Sequence, residues 1–524
     1  MIHTLNLSLT PEQAFDVPVM RMRLCEELNI YEEQLCGFKI SKRSIDARGR
    51  NIKIHVQLEV FVDEPMPSTN YKWETQDVSK KNSVLIIGCG PAGIFAALRL
   101  IELGLKPIIL ERGKDVRNRR RDIAAIHKSH VVNPNSNYCF GEGGAGTYSD
   151  GKLFTRSGKR GDINRILELF VAHGADETIL VDAHPHIGTN KLPQIIIKMR
   201  ENILASGGEI HFNTKVLDFE ITNGKIKTVL TEQEGQSKYF NASTILLATG
   251  HSASDIFELL ERKEILIEAK SFAVGVRVEH PQALIDSLQY HCSLDELAAK
   301  RTFLPAAPYS LVHQSDGKGV YSFCMCPGGI IAPCATGPEQ VVTNGWSPSK
   351  RNNPYANSGI VVAVDPQELN EFKKFGTLAG LRFQQDLEKM AWTAGGKTQV
   401  APAQALQDFV NGKLSNKLPD CSYQPGVISA PLHELLPAAI GKRLSDGFVA
   451  FGKKMKGYLS NEALIVGIES RTSSPVRIPR DKEKLHHPQI VNLFPCGEGA
   501  GYAGGIVSAA MDGQRCAEAI KNIQ

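Results

Sequence analysis

The chain of 524 residues carries 60 basic and 56 acidic side chains, a formal net charge of +4. With 42% apolar and 22% charged residues it has an ordinary globular composition, which excludes disorder, collagen and coiled coil as its main class. The near balance of charge makes nucleic acid an unlikely partner, and the length allows three or four domains. The first residues lack a basic stretch followed by an apolar one, so no signal peptide is expected. No apolar run approaches the ~20 residues of a membrane span, and the reading is a cytoplasmic protein. Eleven cysteines are spread along the chain without a CxxC pair, so free thiols are expected; the tight pair is Cys324 and Cys326. Glycine, at 46 residues, is the composition's informative excess.

Residues 1–75 read as a small α+β module. Leu5, Leu7 and Leu9 alternate with polar residues, the period of a half-buried strand. A helix is predicted over 11–28, then strands over 38–45 and 52–62 joined by the polar turn Asp46-Ala-Arg-Gly-Arg-Asn51. Residues 63–82, with Pro65 and Pro67, read as a linker. The pattern then changes. Ser83-Val-Leu-Ile-Ile-Gly88 is a short apolar run ending in glycine, as expected of a strand buried on both faces of a parallel sheet. An alanine-rich helix follows from Pro91 to its terminator Gly104, and a second buried strand over 106–111 completes a β-α-β unit of about 30 residues.

Further on, a helix is predicted over 193–205, a strand over 209–212, and a hairpin, 215–222 with 225–231, around Asn223-Gly224. A strand over 244–248 runs into Thr249-Gly250. The stretch from 255 to 484 mixes strands at 272–278, 319–324 and 359–364 with helices at 366–374 and 381–393. The chain closes with a strand over 491–495 and a helix over 505–520.

Four glycine motifs sit at strand ends. In the first, Gly88-x-Gly90-x-x-Gly93, Gly88 permits the tight turn and Gly90 lets the backbone approach a pyrophosphate at the helix N-terminus. Gly93 and Ala97 keep helix and strand close, and Glu111, at the end of the next strand, suits a ribose hydroxyl. Arg112 beside it weakens the case against a 2′-phosphate. The second motif, Phe140-Gly-Glu-Gly-Gly-Ala-Gly-Thr-Tyr-Ser-Asp-Gly-Lys152, displays bare backbone N–H groups to an anion or a flat ring. The third is Ile245-Leu-Leu-Ala-Thr-Gly250, followed by His251. The fourth, Pro495-Cys-Gly-Glu-Gly-Ala-Gly-Tyr-Ala-Gly-Gly505, opens the last helix, whose free N–H groups create positive potential. Arg117, Arg119, Arg120 and Arg121 read as a solvated face.

In that order the motifs resemble FAD enzymes of the glutathione-reductase-like superfamily. More narrowly, the chain resembles the group of uncharacterised FAD-dependent dehydrogenases, through Ser44-Ile-Asp-Ala-Arg48, Gly141-Glu-Gly-Gly-Ala-Gly-Thr-Tyr-Ser-Asp-Gly151, Phe323-Cys-Met-Cys-Pro-Gly-Gly329, Glu469-Ser-Arg-Thr-Ser-Ser-Pro475 and Gly497-Glu-Gly-Ala-Gly-Tyr-Ala-Gly-Gly505. The resemblance covers nearly the whole chain. It implies an α/β fold: a Rossmann-like FAD-binding domain split over 83–254 and 485–524, an inserted α+β substrate domain over 255–484, and the small N-terminal α+β module. It further implies that Gly88, Gly90, Pro91, Ala92 and Gly93 surround the FAD pyrophosphate and that Glu111, with Arg112 beside it, binds the adenosine ribose. Val216 would touch adenine. Gly144, Gly146, Thr147 and Asp150 of the second motif, and Thr249 and Gly250 of the third, would lie along the cofactor, Gly497 and Glu498 by the ribityl chain, and Gly504, Gly505 and Ile506 by the flavin ring. A second dinucleotide fingerprint and the flavin disulfide motif CxxxxC are not read, so NADH or NADPH would reach the flavin only transiently.

The expected reaction is hydride transfer between an unidentified small-molecule substrate and flavin N5. Cys326 is a candidate reactive thiol beside a rigid turn. Arg471 and Ser473 offer a cation and a hydroxyl to an anionic substrate. His251 is a candidate proton donor. His184 and His186 lack a third ligand at suitable spacing, so no metal is expected. Other readings are an RNA-modifying flavoprotein, using Arg48 and Arg50, a flavin-dependent monooxygenase, and a non-enzymatic flavin sensor whose N-terminal module docks a partner. The oligomeric state is not legible.

Overall fold

The structure is a computed structural model that describes residues 1–49, 51–67, 71–155, 158–300 and 303–523; Arg50 lies outside the described residues. Its first sheet has five parallel strands in the order Leu493–Pro495, Ile245–Leu247, Ser83–Ile87, Lys106–Leu110 and Glu209–His211. Alternation along Ser83–Ile87 explains its unbroken apolar run. Val84 and Ile86 face a core made with helices Pro91–Glu102, Ile163–Ala172, Leu192–Ala205 and Ile506–Lys521. Leu85 and Ile87 face a second core beneath the antiparallel strands Thr214–Thr222, Lys225–Gln233 and Gln236–Asn241. The third of these strands was not read from sequence, because its mostly exposed residues show no apolar alternation.

Helix Ser254–Arg262 buries Ile256, Phe257, Leu259 and Leu260 in that second core. Ile265, Ile267, Val476 and Ile478 join it there. The residues just inside the expected insert boundaries at 255 and 484 therefore pack with the first sheet.

The second sheet has seven strands in the order Val312–Ser315, Lys318–Cys326, Tyr355–Val364, Phe272–Pro281, Leu464–Glu469, Ala401–Ala405 and Val427–Ser429. It is antiparallel except for its last pair. Helices Ala379–Ala394 and Ala438–Lys454 cover it, burying Leu387, Ala391, Leu444 and Phe448. The helix expected over 366–374 is instead a pair of 3₁₀ segments, Pro366–Glu368 and Asn370–Leu378, the second interrupted at Gly376 with φ +53°.

At the N-terminus, Lys53–Val62 lies between Ile2–Leu9 and Leu35–Asp46 in an antiparallel sheet. The single helix expected over 11–28 is two, Pro11–Phe15 and Val17–Leu28. Asp16 ends the first and caps the second by accepting from the Val19 N–H at 3.1 Å, with Pro18 in the new first turn. The module's core is shared: Leu24, Ile54 and Leu58 pack with Tyr290, Cys292, Leu297 and Ala307. On another side Arg43 binds Asp182 at 2.8 Å, and its backbone exchanges hydrogen bonds with Val181 and Ala183. The expected linker is pinned as well, with Val78 buried and its N–H on the Ser206 carbonyl at 2.8 Å.

Candidate functional site

Two helix N-termini and the buried carboxylates of Glu111 and Asp150 meet at a cavity of ≈ 400 Å³ between the two sheets. Helix Pro91–Glu102 is capped by Gly90, and its first internal bond is Ile94 N–H to Gly90 O at 2.9 Å. Pro91 has no N–H, so the Ala92 and Gly93 N–H groups are the donors this helix end leaves outside its own ladder. The last helix, Ile506–Lys521, is capped by Gly505 in extended geometry, φ 167°. Gly90, Pro91, Ala92, Gly504, Gly505 and Ile506 all line the cavity.

The glycines divide into two kinds. A Cβ on Gly88, at φ +108°, would lie 2.4 Å from the Ala248 carbonyl oxygen, and one on Gly93 would lie 2.0 Å from that of Gly88. These two are required by the protein's own packing; Gly93 supports the turn from outside the lining. A Cβ on Gly504, Gly505 or Gly250 meets nothing within 4 Å, and on Gly90 nothing nearer than the Gly144 Cα at 3.9 Å. At Gly90, Gly504 and Gly505 nothing in the fold forces glycine, and a side chain would fill the cradle instead; Gly250 is held to glycine by its own left-handed backbone, φ +72°. Bare backbone, two positive helix ends and the Glu111 carboxylate in one cleft match the shape and charge of a dinucleotide.

Glu111 is buried, and its carboxylate accepts the N–H groups of Cys89 at 2.9 Å, Gly113 at 2.8 Å and Gly141 at 3.0 Å. It thus ties the first two glycine motifs together, and three bonds leave a carboxylate capacity for a hydroxyl donor. Arg112 stacks over Phe140 with its guanidinium carbon 4.2 Å from the ring centroid, and donates to Asp255 and Asn135, each at 2.9 Å. Val216, Thr249, Gly144, Gly146, Asp150 and Glu498 line the cavity too. Thr147 and Gly497 do not: Thr147 donates to the Glu142 carbonyl at 2.7 Å, and the Gly497 N–H binds Asp512 at 2.8 Å. Arg119 overturns the solvated-face reading at its position. It is fully buried and donates to the carbonyls of Asn137, Tyr138, Glu142 and Gly144 at 2.7–2.9 Å, holding the glycine loop in shape.

The opposite wall comes from Phe323 and Cys324 of the second sheet, from Asn344 and Gly345 of a two-stranded sheet, Ile330–Pro333 with Thr343–Trp346, and from Thr472 in the loop after Leu464–Glu469. Here the candidate catalytic residues fare differently. His251 lines the cavity, its Nδ1 3.4 Å from Glu498 Oε1. Arg471 touches the cavity, but its guanidinium is bound in a fork by Glu388, Nε–Oε1 and Nη2–Oε2 both 2.8 Å, and donates further to Thr336 and Gln340. Its donors are spent on protein groups, so the anion-holding role expected for it has no free fork. Ser473 is outside the lining, and Cys326 is completely buried behind it. Of the pair, the thiol that reaches the cavity is Cys324, which sequence reasoning passed over because nothing in Cys324-Met-Cys326 says which sulfur faces inward.

Asp150 organises the charge of this wall. It is buried, with Lys152 at 3.2 Å, Arg351 at 3.4 Å and His186 at 3.8 Å. Against the cost of burial, Lys152 and Arg351 hold its carboxyl down to about 2. Burial, with Arg351 beside it, pushes His186 down to about 4, and burial does the same to His280. The fold keeps both rings neutral. As pH falls from 6.5 towards 4 the unfolded chain takes up protons that the folded chain refuses, so stability drops with acid across that window. His186→Gln should flatten this slope in urea unfolding at stepped pH; an unchanged slope would show that the fold tolerates the His186 cation.

Cys496, Asp512 and Cys516 place ligand atoms within 4.8 Å of one another. Arg480 sits on this group, 2.6 Å from Asp512 and 3.3 Å from the Cys516 sulfur, and supplies the positive charge a metal would bring.

Fold and cavity define a dinucleotide-binding flavoprotein, and comparisons with known proteins give its family. Residues 271–472 match the family described as FAD-dependent protein, C-terminal domain-like, and residues 1–61 match a domain of unknown function. An uncharacterised protein of Clostridium beijerinckii is 38% identical over 99% of this chain and 98% of its own. The chain belongs to that relative's family, an uncharacterised FAD-dependent family, and its cofactor is FAD. Among solved structures, the flavin-dependent brominase Bmp2 aligns over 85% of this chain and 79% of its own at 14% identity and a TM-score of 0.37. A glycine oxidase of Bacillus cereus aligns over 85% and 96% at 13% identity and a TM-score of 0.30. Likenesses of this degree transfer neither reaction nor substrate. Among the described residues no helix is long and apolar enough to cross a membrane.

Proposed function

We propose that this protein is an oxidoreductase that transfers hydride between a small-molecule substrate and flavin N5, the substrate entering between the two sheets against Phe323, Asn344 and Thr472. The observation that carries the reading is the convergence of the Gly90 and Gly505 helix ends on one cavity whose far wall belongs to different sheets. That arrangement holds a dinucleotide on one side and leaves a distinct surface for its reaction partner on the other. When bound, FAD supplies the two-electron chemistry.

The chain's own groups bind, orient and handle protons. The Ala92 N–H and the Gly90 backbone at the helix end hold the pyrophosphate, and Glu111 holds the ribose. The positive end of the last helix favours negative charge on a ring lying against Gly504–Ile506. His251, steered by Glu498, exchanges the proton that accompanies hydride transfer. Lys152, about one-third exposed, is the cation offered to an anionic substrate group in place of Arg471.

Purified protein should be yellow and release FAD on denaturation. Anaerobic mixing with NADH or NADPH should bleach the flavin band. A colourless protein that takes up no FAD overturns the reading. Reduction followed by oxygen consumption only in the presence of a substrate would assign hydroxylation instead.

A further inference from the structure

The strand Lys318–Cys326 leaves regular pairing just where it enters the cavity wall. Its register with Tyr355–Val364 shifts between Phe323 and Cys326, and Cys324 takes a left-handed conformation, φ +48°. For a non-glycine residue that conformation is uncommon and marks a position held by its surroundings. The bulge brings both sulfurs to one cation while only one of them reaches the cavity. Cys324 lines the cavity, and Cys326 is completely buried behind it.

Both sulfurs meet the same lysine, and a buried arginine braces the pair. Lys152 Nζ lies 3.8 Å from Cys324 Sγ and 3.6 Å from Cys326 Sγ. Arg277, itself fully buried, donates to the Cys324 carbonyl at 2.8 Å and has Nη2 3.4 Å from Cys326 Sγ. Gly345 makes room for it, since a Cβ there would lie 2.1 Å from Nη2. The facing anions are each taken by a cation: Asp150 by Lys152 at 3.2 Å and Glu469 by Arg277 at 3.2 Å. A hydrogen bond from Cys326, against burial and with help from Lys152 and Arg277, holds the Cys324 thiol well below the usual range, while burial pushes Cys326 well above it. A half-buried low-pKa thiol at the cavity, in front of a fully buried high-pKa one, is the asymmetry of an attacking and a resolving cysteine. A solitary nucleophile has no use for the second sulfur.

We propose that Cys324 and Cys326 form a dithiol–disulfide pair in the wall of the FAD cavity, Cys324 attacking and Cys326 resolving, with a small disulfide as substrate class. The assignment rests on the proposed function for the identity of the cavity and stands apart from it in its chemistry. The Cys324 thiolate attacks one sulfur of R–S–S–R; that S–S bond breaks and one RS⁻ leaves. Cys326 gives its proton to solvent and attacks Cys324 Sγ in the mixed disulfide, expelling the second RS⁻. The substrate gains two electrons, and the protein loses them as a Cys324–Cys326 disulfide.

The test treats purified protein with oxidised glutathione at about pH 6.5, well below the ordinary thiol pKa of about 8.5, then blocks free thiols and maps them by mass spectrometry. FAD content is read beforehand from the visible spectrum. The expected product is a Cys324–Cys326 disulfide that dithiothreitol reverses. Cys326→Ser should stop at a glutathione adduct on Cys324, Cys324→Ser should form neither product, and Lys152→Met should slow the reaction at least about tenfold by raising the attacking thiol's pKa. The proposal is overturned if, in folded FAD-loaded protein, Cys324 reacts no faster than the exposed Cys36, or if Cys326→Ser and the unsubstituted chain give the same adduct. A colourless protein that still forms the disulfide would remove the flavin reading and keep the thiol pair.

Discussion

Gly505→Val should abolish FAD binding in a protein that still folds. Gly505 has extended backbone that any residue adopts, and a Cβ there meets nothing within 4 Å, so valine strains neither chain nor packing. Its methyl groups would occupy the cavity at the mouth of the last helix, where the proposed function puts the cofactor ring. We expect at least ~100-fold weaker FAD binding, about 2.7 kcal/mol, with apo-protein stability changed by no more than about 0.5 kcal/mol. Gly88→Ala is the counterpart. Its Cβ would be driven 2.4 Å from the Ala248 carbonyl oxygen at φ +108°, so the strand-to-helix turn has to open. Here the loss should be of stability, on the order of 3 kcal/mol, with cofactor lost as a consequence. Flavin fluorescence titration separates affinity from unfolding, which urea reports. A Gly505→Val protein that retains FAD would move the ring away from Gly504–Ile506.

Arg471→Met should destabilise the protein by about 3–5 kcal/mol, the cost of stranding a buried charge. Glu388 is almost completely buried, and without the guanidinium its remaining side-chain partner is the Ser470 hydroxyl at 2.7 Å. The double variant Arg471→Met with Glu388→Met should recover at least half of the loss, because it removes the orphaned charge together with its partner. Urea unfolding of the two variants is the measurement. Were Arg471 a substrate anchor, the single variant would unfold like the parent and show only a raised KM.

The first half of the FAD domain was legible because its signals are local. Ser83–Ile87, the turn to Gly90 and the helix after it form a contiguous pattern whose period and glycine spacing admit few alternatives. Gly90 and Gly93 fit one motif, yet only packing shows that the first faces the cavity and the second a carbonyl. The second sheet was read in part. Ala401–Ala405 is wholly buried but has no β-branched residue, so its strand identity comes from its neighbours in the sheet rather than from propensity. Helix Pro91–Glu102 announces itself with proline and alanine; Ala438–Lys454 lies in a glycine-interrupted stretch and was not read. The roles of Arg471, Arg119 and Cys324 depend on partners 83, 18 to 25 and 172 residues away, separations at which a single sequence carries no pairing signal.

The N-terminal module bears on how the cleft can move. It shares a hydrophobic core with residues 290–307 on the side of the second sheet, and through Arg43 it is bolted to 181–183 on the side of the first. A strut joined to both halves of a jaw forbids a wide hinge. Opening the cleft widely would first have to break one of these two joints, so a substitution that loosens the N-terminal sheet is expected to act on the cavity without touching it.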